Sequence, residues 1–316
     1  MTQLNHQLDT ATRSGRDRPI IYPVLGGAKD LGFVRLSGNG LGNSFYSYFH
    51  AFVLANQCNG QLIFPAWMSL KSGPIRRGDA SKRLYIGLFE PQDDEMAGLM
   101  KYVLLRKALF RPNVITIGDA ERVTVDAARL NLVNCKEFIF RGLYEHKDLI
   151  RKRLVAMTRK SLPDGFGWGS SPYAAIHVRL GDFATTTDIA AINGGASNKR
   201  VPMSWYVHII KRIKQSSPDR PILIVSDGQE AELAELINAG ARLLRTGSDI
   251  GDLLSLASAS LLVGSNSTFS RWASFLGGMP SIWTARLKRD ETPSRDDRNM
   301  YYIPVGADGA LSSFPT

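Results

Sequence analysis

Cysteine is scarce in this chain, which has only Cys58 and Cys135 among 316 residues. Two cysteines cannot form the disulfide framework of a small secreted protein, and their spacing is not that of a metal site. The sequence therefore predicts a reduced, cytoplasmic protein with no metal and no structural disulfide.

Long apolar runs are also missing. No stretch approaches the 18 consecutive apolar residues that indicate a membrane-spanning helix, and the N-terminus lacks the apolar core of a secretory signal. We interpret residues 1–18 as a polar, poorly ordered lead-in. Apolar residues make up 44% of the chain and charged residues 22%, which is the composition of a folded globular protein.

Acidic residues are outnumbered: 29 Asp and Glu stand against 39 Lys and Arg, so the formal net charge is +10. This excess favours an anionic partner, such as a nucleotide, a nucleic acid or a membrane surface, but it also fits a basic surface without a partner. The chain has no recognised nucleic-acid-binding motif, so a nucleic-acid-binding protein is the weakest of these alternatives.

Strand-like and helix-like stretches alternate along the chain, which predicts an α/β fold with parallel sheets. In the first half we predict a strand at 31–38, a helix at 43–57, a strand at 60–65, an irregular region at 66–115, and a strand leading into a basic helix within 138–162. In the second half we predict strands at 173–180, 221–227, 259–267 and 279–284, and helices at 203–215, 228–239 and 268–278.

A stretch rich in glycine, proline and serine at 161–172 has the composition of a linker. We therefore predict two α/β domains, 19–162 and 163–316, with a ligand-binding cleft between them.

Three glycines, Gly38, Gly40 and Gly42, alternate in LSGNGLGNSF between the first predicted strand and the first predicted helix. Glycine allows close approach of the backbone to a ligand, and a helix N-terminus offers free N–H groups to an anion. No acidic residue follows about 20 positions later, which argues against a nicotinamide cofactor. A tight turn with Asn43 or Ser44 as the helix cap explains the same pattern.

Two basic side chains, His177 and Arg179, end a predicted strand in HVRLGDF and point to the same face. The guanidinium group matches phosphate oxygens, and the imidazole can bond a base or a ribose. Alternatively, Arg179 forms an ion pair with Asp182, which leaves His177 without a role.

Two further strand ends carry polar side chains. VGSNSTFSRW brings Ser265, Asn266, Ser267 and Thr268 to the start of a helix, where they form either a phosphate-binding turn or a run of helix caps. Asp227 ends PILIVSD and either faces a ligand or caps the following helix. Together, the four motifs predict a nucleotide-diphosphate site.

In their order and approximate spacing, these motifs resemble those of the bacterial α-1,2-fucosyltransferase family. SGNGLGNSFYSYFHAFVLA is similar to its G-G-L-G-N-Q-x-F-Q-Y-A-x-A opening, HVRLGDF to its H-V-R-R-G-D-Y signature, and LVGSNSTFSRWASFL to I-S-N-S-T-F-S-W-W-A-A-W-L. RGLYEHKDLIRKRL, VPMSWYVHII and PILIVSD are similar to further segments of the family.

The resemblance implies a GT-B fold, with two Rossmann-like domains facing a central cleft. The N-terminal domain would lie on the acceptor side and the C-terminal domain would bind the donor. The family and its α-1,6- and protein O-fucosyltransferase relatives imply GDP-fucose as donor, inversion at the anomeric carbon, and no metal or other cofactor. The implied reaction is transfer of fucose to a glycan hydroxyl, in α-1,2 linkage, during synthesis of surface polysaccharide or lipopolysaccharide.

The resemblance also implies residue roles. Arg179 would bind the β-phosphate and stabilise the departing GDP, and His177 would touch the nucleotide. The other substrate-binding residues predicted from the motifs and the resemblance together are Gly40, Gly42, Asn43, Asp182, Asp227, Ser267, Thr268 and Phe269. No general base is evident; we assign that role to Asp188 by position, ahead of Glu145.

Four positions depart from the family pattern, namely Ser44, Leu180, Ser260 and Arg271. Ser260 stands where relatives often carry an acidic residue near the guanine. These departures leave open a transferase for a different sugar nucleotide, or a sugar-nucleotide binder without transfer activity.

Three segments are predicted to meet other partners. The acceptor would contact the loops at 66–100 and 183–200. The basic stretch 146–160 is a candidate for peripheral contact with anionic lipid at the inner face of a membrane, although most such stretches are solvated helix faces.

Overall fold

A computed structural model describes residues 7–11, 18–27, 29–76, 83–108, 111–118, 122–135, 137, 139–159, 162–163 and 165–306. The chain divides into two compact units. Unit 1 comprises Met1–Ser72 and Arg83–Arg159, and unit 2 comprises Gly73–Lys82 and Lys160–Thr316. The chain thus enters unit 2 at Gly73, returns to unit 1 at Arg83 and enters unit 2 again at Lys160, and the division into 19–162 and 163–316 stays a prediction.

The elements before residue 160 are β1 (Gln7–Ala11), β2 (Ile20–Pro23), β3 (Lys29–Asp30), β4 (Arg35–Leu36), α1 (Leu41–Gln57), β5 (Gln61–Ile63), β6 (Ser69–Leu70), α2 (Ser72–Arg76), β7 (Glu95–Met96), α3 (Gly98–Ala108), β8 (Asn113–Ile117), β9 (Arg122–Asp126), β10 (Leu130–Cys135), a 3-10 turn (Tyr144–His146) and α4 (Lys147–Met157).

The elements after residue 160 are β11 (Ser171–Val178), α5 (Ile189–Asn193), α6 (Met203–Ser216), β12 (Ile222–Ser226), a 3-10 turn (Glu230–Leu233), α7 (Ala234–Asn238), β13 (Arg242–Leu243), α8 (Asp249–Ser258), β14 (Ala259–Val263), α9 (Thr268–Gly277), β15 (Ser281–Trp283), two 3-10 turns (Arg289–Glu291 and Asp297–Asn299) and β16 (Met300–Tyr302).

The main sheet of unit 1 has five parallel strands in the order β7-β5-β2-β10-β8. The direction of strand addition reverses between β2 and β10, as at the switch point of a doubly wound sheet. Helix α1 packs against β2, β10 and β5, and 14 of its 17 residues are buried. An apolar surface almost all round is expected of a helix enclosed in a core.

The sheet of unit 2 has six parallel strands in the order β13-β12-β11-β14-β15-β16. Counted within the unit, this is the order 3-2-1-4-5-6 of a Rossmann fold. The central strand β11 buries Ile176 and Val178 in a cluster with Trp205 and Ile209 of α6. The prediction of an α/β fold with parallel sheets is therefore confirmed.

In unit 2 the predicted elements correspond to β11, β12, β14, β15, α6 and α9, and the structure differs mainly at their ends. Helix α9 is capped at its C-terminus by Gly278, whose left-handed conformation, φ 74°, favours glycine. The helix predicted at 228–239 is shorter, since it begins with a 3-10 turn before α7.

In unit 1 several predictions are wrong. The predicted strand 31–38 is reduced to the two-residue strand Arg35–Leu36 of a hairpin, and the core strand that precedes α1 is β2, at 20–23. The physical reason is burial: Ile21 is enclosed in the core, whereas Leu31 and Phe33 are exposed on a β3–β4 hairpin.

Three further corrections concern segments that lack clear periodicity. The region 66–115 contains β6, α2, β7, α3 and β8, and is not irregular. The strand preceding the basic helix α4 is β10, and residues 141–143 form a turn. In the predicted lead-in, Gln7–Ala11 pairs in parallel with β9, and most of the rest of 1–18 lies outside the described residues. Among the described helices, none has the length and apolar character needed to cross a bilayer.

Candidate active site

The candidate site of unit 2 lies at the carboxyl ends of β11, β12 and β14. The strand order of the sheet reverses between β11 and β14, and open α/β sheets bind ligands outside the carboxyl ends of strands at such a point. This topology brings His177 and Arg179, at the end of β11, beside the turn that links β14 to α9. The HVRLGDF and VGSNSTFSRW motifs are thus neighbours in space.

His177 is buried, and its Nδ1 atom faces three serine hydroxyls. The distances from Nδ1 to Oγ are 2.6 Å for Ser270, 3.0 Å for Ser265 and 3.3 Å for Ser267. Burial, and then the positive charge of Arg179, hold the pKa of His177 well below its ordinary value. The imidazole is therefore neutral at pH 7 and serves as a hydrogen-bonding group.

Arg179 follows the last residue of β11, and two carboxylates hold its guanidinium group. Its Nη2 atom lies 2.8 Å from Oδ1 of Asp182, and its Nη1 atom lies 3.1 Å from Oδ2 of Asp227. The Arg179 side chain is 18% exposed and that of Asp182 is 45% exposed. The predicted ion pair with Asp182 is thus present, and a second carboxylate joins it.

Asp227 has a structural as well as an electrostatic role. Its Oδ1 atom accepts a hydrogen bond from the backbone N–H of Leu180 at 2.8 Å, which ties the end of β12 to the loop after β11. Arg245, just beyond β13, donates to the backbone carbonyls of Ser226 and Gly228 on either side of Asp227. Residues that follow β11 and β13 therefore hold Asp227 in place, Leu180 through its carboxylate and Arg245 through the neighbouring backbone.

The turn before α9 is built from side-chain hydrogen bonds. Ser267 is the N-cap of α9, and its hydroxyl accepts from the N–H of Ser270 at 3.3 Å. Thr268 begins the helix, and the ring of Phe269 lies 5.2 Å from the ring of His177. Phe269 is partly buried beside the imidazole.

Arg271, which departs from the family pattern, supports this turn from behind. It is buried, donates to Oδ1 of Asn266 at 2.9 Å, and pairs with Glu291 at 2.6 Å. The amide of Asn266 in turn donates to the carbonyls of Gly195 and Ala196 at 2.7 Å and 3.0 Å. Asn266 therefore anchors the loop after α5, and its side chain is not part of an anion-binding turn.

In unit 1 the glycine-rich turn links the hairpin to α1 at the carboxyl end of the sheet. Helix α1 begins at Leu41 with Gly40 as its N-cap, so the prediction that Asn43 or Ser44 caps the helix is wrong. A Cβ atom on Gly38, whose φ is 120°, would lie 2.8 Å from the carbonyl oxygen of Gly26. A Cβ atom on Gly40 would meet nothing within 4 Å. Gly42 and Asn43 lie in the first turn of α1.

Arg35 organises this turn from inside the core. The side chain is fully buried and donates to four backbone carbonyls, at 3.0 Å to Leu25, 2.9 Å to Gly26, 2.7 Å to Ala66 and 3.2 Å to Trp67. Burial lowers the pKa of Arg35, and the four carbonyl dipoles compensate for the lost solvation.

The structure places the remaining candidates away from this cluster. Asp188 is the N-cap of α5 and accepts from the N–H of Ala191 at 2.9 Å. Ser260 lies in the first half of β14, where its hydroxyl donates to the carbonyl of Tyr173 at 3.1 Å. At about 3.3 Å per residue, it lies roughly 10 Å along the strand from Val263. It does not line the carboxyl edge, so its proposed link to base specificity gains no support. Glu145, the second candidate base, lies in a 3-10 turn of unit 1.

The sequence did not single out Arg35, Arg245 or Ser270 as contributors to these turns. It named Ser265 only as a member of a phosphate-binding or capping turn, and not as a partner of His177. The spacing Ser265-x-Ser267-x-x-Ser270 was the only available signal, because it places three hydroxyls around one helix start. Among the described residues, no group of His, Cys, Asp and Glu is arranged to hold a metal ion.

The chain was compared with known proteins. No protein-family model matches it, and no curated protein matches it significantly. Similar solved structures include POFUT1 in its apo form, with 10% identity and a TM-score of 0.44, covering 85% of this chain and 99% of that one. POFUT1 in complex with GDP-fucose has 11% identity and a TM-score of 0.43, covering 93% and 99%.

A third similar structure is the fucosyltransferase NodZ from Bradyrhizobium, with 12% identity and a TM-score of 0.36, covering 84% of this chain and 95% of that one. These similarities are distant. The assignment of function therefore rests on this chain's own residues.

Proposed function

We propose that this protein is an inverting glycosyltransferase that moves fucose from GDP-fucose to a hydroxyl group of a glycan acceptor. We further propose α-1,2 linkage, a role in surface polysaccharide or lipopolysaccharide synthesis, a cytoplasmic location, and no requirement for a metal ion. We propose that the residues predicted from the sequence bind GDP-fucose, and that unit 2 holds its nucleotide.

One observation carries the proposal: Arg179 stands at the topological switch point of a Rossmann sheet, beside the polar N-terminus of α9. The helix start, its serine hydroxyls and a cationic fork converge on one edge, and this combination suits a diphosphate. The buried neutral His177 adds a hydrogen-bonding group and no further charge.

The paired state of Arg179 is compatible with this role. Asp182 is the more exposed of its two partners and lies three residues away on a turn, so a phosphate oxygen can replace it at little structural cost. Asp227 is nearly buried and anchored, so it would keep the guanidinium group oriented while the ligand binds. Arg179 is thus preorganised for an anion.

In the proposed reaction, the acceptor oxygen forms a bond to the anomeric carbon of fucose as the bond from that carbon to the β-phosphate oxygen breaks. GDP leaves with the bonding electron pair, and Arg179 stabilises the negative charge that develops on it. The acceptor hydroxyl loses its proton to a carboxylate, for which we propose Asp188. Removing one preorganised donor of this kind typically costs on the order of 10²–10³ in rate.

The competing function is a sugar-nucleotide binder without transfer activity. Asp188 already accepts a backbone hydrogen bond as a helix cap, which favours this alternative because it gives the carboxylate a structural purpose. Transfer of fucose to a glycan acceptor by the wild type, lost in Asp188→Asn with GDP affinity kept, would decide for the transferase and its base.

Calorimetric titration with GDP, UDP, ADP and dTDP in the absence of metal tests the proposal. We expect selective binding of GDP to the wild type and loss of that binding in Arg179→Ala. Arg242→Ala, which removes an exposed arginine of β13 in the same unit, is the matched control and is expected to bind GDP normally.

Two results would contradict the proposal. If Arg179→Ala bound GDP as the wild type does, Arg179 would be a structural ion pair only. If the wild type selected another nucleotide, the donor assignment would be wrong.

A further inference from the structure

Helix α3 in unit 1 has the reverse of the usual burial pattern of a surface helix: a lysine is buried and apolar side chains are exposed. Lys101 is buried, with Nζ 5.8 Å from the centre of the Phe64 ring. Four apolar residues of the helix are exposed, namely Leu99, Met100, Tyr102 and Val103, and Leu99 is 86% exposed. Leu104 and Leu105 are half-buried. A helix free to rotate would do the reverse, since apolar side chains gain by burial and a buried ammonium loses solvation. Burial indeed lowers the pKa of Lys101 to about 8.

The tip of the β3–β4 hairpin extends this exposed face. Gly32 packs on the side chains of Tyr102 and Leu105, so the hairpin tip touches α3. Phe33, beside Gly32, is 58% exposed. We call the combined face the apolar surface; its exposed members are Leu31, Phe33, Leu99, Met100, Tyr102 and Val103. Contiguous exposed apolar side chains of this size generally mark a binding surface.

The charge around the apolar surface identifies the kind of partner. Between Tyr102 and Arg111 the chain carries Arg106, Lys107 and Arg111 and no acidic residue, whereas Asp93 and Asp94 precede the helix and Asp94 pairs with Arg153. Arg106 and Arg111 are exposed at the end of the helix. Asp30, at the base of the hairpin, is engaged by Tyr22 at 2.6 Å and by the N–H of Gly32 at 2.8 Å.

Apolar and aromatic side chains flanked by basic ones are the composition of helices that lie in the interface of an anionic membrane. A second copy of the chain fits less well. A symmetric dimer through this face would place each copy's surface against the same surface of its partner, which brings like charges together.

We propose that the apolar surface docks the protein on an anionic lipid bilayer, with Phe33 and Leu99 inserted among the headgroups and the basic residues against lipid phosphates. This surface is distinct from the basic helix α4, which the sequence predicts as the lipid contact. It is also distinct from the nucleotide site of unit 2.

Flotation with lipid vesicles tests the proposal, using the full chain without nucleotide. We expect binding to vesicles of phosphatidylcholine with about one third phosphatidylglycerol, much weaker binding to phosphatidylcholine alone, and loss of binding as salt is raised. The double variant Phe33→Ser/Leu99→Ser is expected to lower vesicle binding about tenfold or more. Both side chains are exposed, so the variant is expected to fold.

Val114→Ser is the matched control, because Val114 is an apolar side chain of β8 outside the apolar surface and is 61% exposed. It is expected to bind vesicles as the wild type does. Equal binding to neutral and anionic vesicles, or unchanged binding by the double variant, would overturn the proposal. A wild-type dimer that the double variant dissociates would assign the surface to a second copy instead. The GDP affinity of the double variant is expected to be unchanged, so this test and that of the proposed function fail independently.

Discussion

Each unit starts a buried helix from a tight turn, α1 in unit 1 and α9 in unit 2, but the two turns are stabilised by different groups. In unit 1 the turn before α1 is a backbone structure: glycines approach one another closely, and Arg35 collects four carbonyls. In unit 2 the turn before α9 is a side-chain structure, in which three serine hydroxyls surround the neutral His177.

The two arginines differ in the same way. Arg35 is fully enclosed and bonded to carbonyls that cannot leave, so it is fixed as part of the fold. Arg179 is partly exposed, and one of its carboxylate partners lies largely in solvent, so it can exchange that partner for a ligand. Burial of the guanidinium group and exposure of its partner therefore separate a structural arginine from a candidate catalytic one.

The largest expected effect is on the backbone-built turn. Arg35→Met leaves four carbonyls without their donor in the core of unit 1, and we expect a loss of about 3–5 kcal/mol in the free energy of unfolding. Urea unfolding measures it. Arg129→Met, which removes a half-exposed arginine of unit 1, is the control and is expected to change stability by less than about 1 kcal/mol. Equal losses in both variants would remove the distinction between the two arginines.

Arg179→Ala is expected to act more on the reaction than on the fold. If the proposed transfer occurs, kcat falls on the order of 10²–10³-fold, because one preorganised donor to the leaving group is lost. Stability falls by about 1–3 kcal/mol, because Asp182 is solvated but the nearly buried Asp227 loses its cation. Single-turnover kinetics with GDP-fucose, beside urea unfolding, separates the two effects. If Arg179→Ala lost stability but kept its kcat, Arg179 would have a structural role, as Arg35 does.

Within the glycine-rich turn, two glycines are expected to behave differently. Gly38→Ala forces a Cβ atom against the carbonyl of Gly26 at a positive φ, and we expect a loss of about 1–3 kcal/mol in stability. Gly40→Ala is the matched control, because its Cβ atom meets open space and its φ of −64° suits alanine. Its stability is expected to fall by no more than about 1 kcal/mol, which is the difference between glycine and alanine at an N-cap. Thermal or urea unfolding of the pair tests this, and equal losses would contradict it.

The smallest effect concerns His177 and pH. Its folded-state pKa lies below that of the unfolded chain, so the unfolded state binds the proton first and stability is lost as pH falls below about 6.5. Between pH 7 and pH 5.5 this loss is about 1 kcal/mol. His177→Gln is expected to remove that part of the pH dependence, measured by urea unfolding at both values. Arg242→Ala is expected to keep it. An unchanged slope in His177→Gln would show that the imidazole titrates normally in the fold.

The sequence predicted unit 2 better than unit 1 for a physical reason. In unit 2 the strands β11, β12 and β14 are apolar runs with clear punctuation, and α6 and α9 have well-separated apolar faces. In unit 1 the strands are short; the predicted strand 31–38 includes Leu31 and Phe33, which are exposed, and the apolar strand β2 at 20–23 was not predicted. An apolar residue is buried only where the fold packs other residues against it, and local hydrophobicity does not show whether that happens.

For the candidate site, the residue types were predictable and their partners were not. The sequence shows that one strand ends with His177 and Arg179 and that a helix begins with several serines. That Ser270 faces His177, that Asp227 joins Asp182 on Arg179, and that Asn266 is committed to the 195–196 loop all depend on contacts between distant segments.

By itself, the sequence determined the α/β class and the chemistry offered at each strand end, because alternation and side-chain type are local properties. Only the tertiary structure decided which arginine is buried, which glycine is crowded and which face of α3 meets solvent. Those outcomes depend on desolvation and close packing between segments far apart in the chain, which no local pattern records.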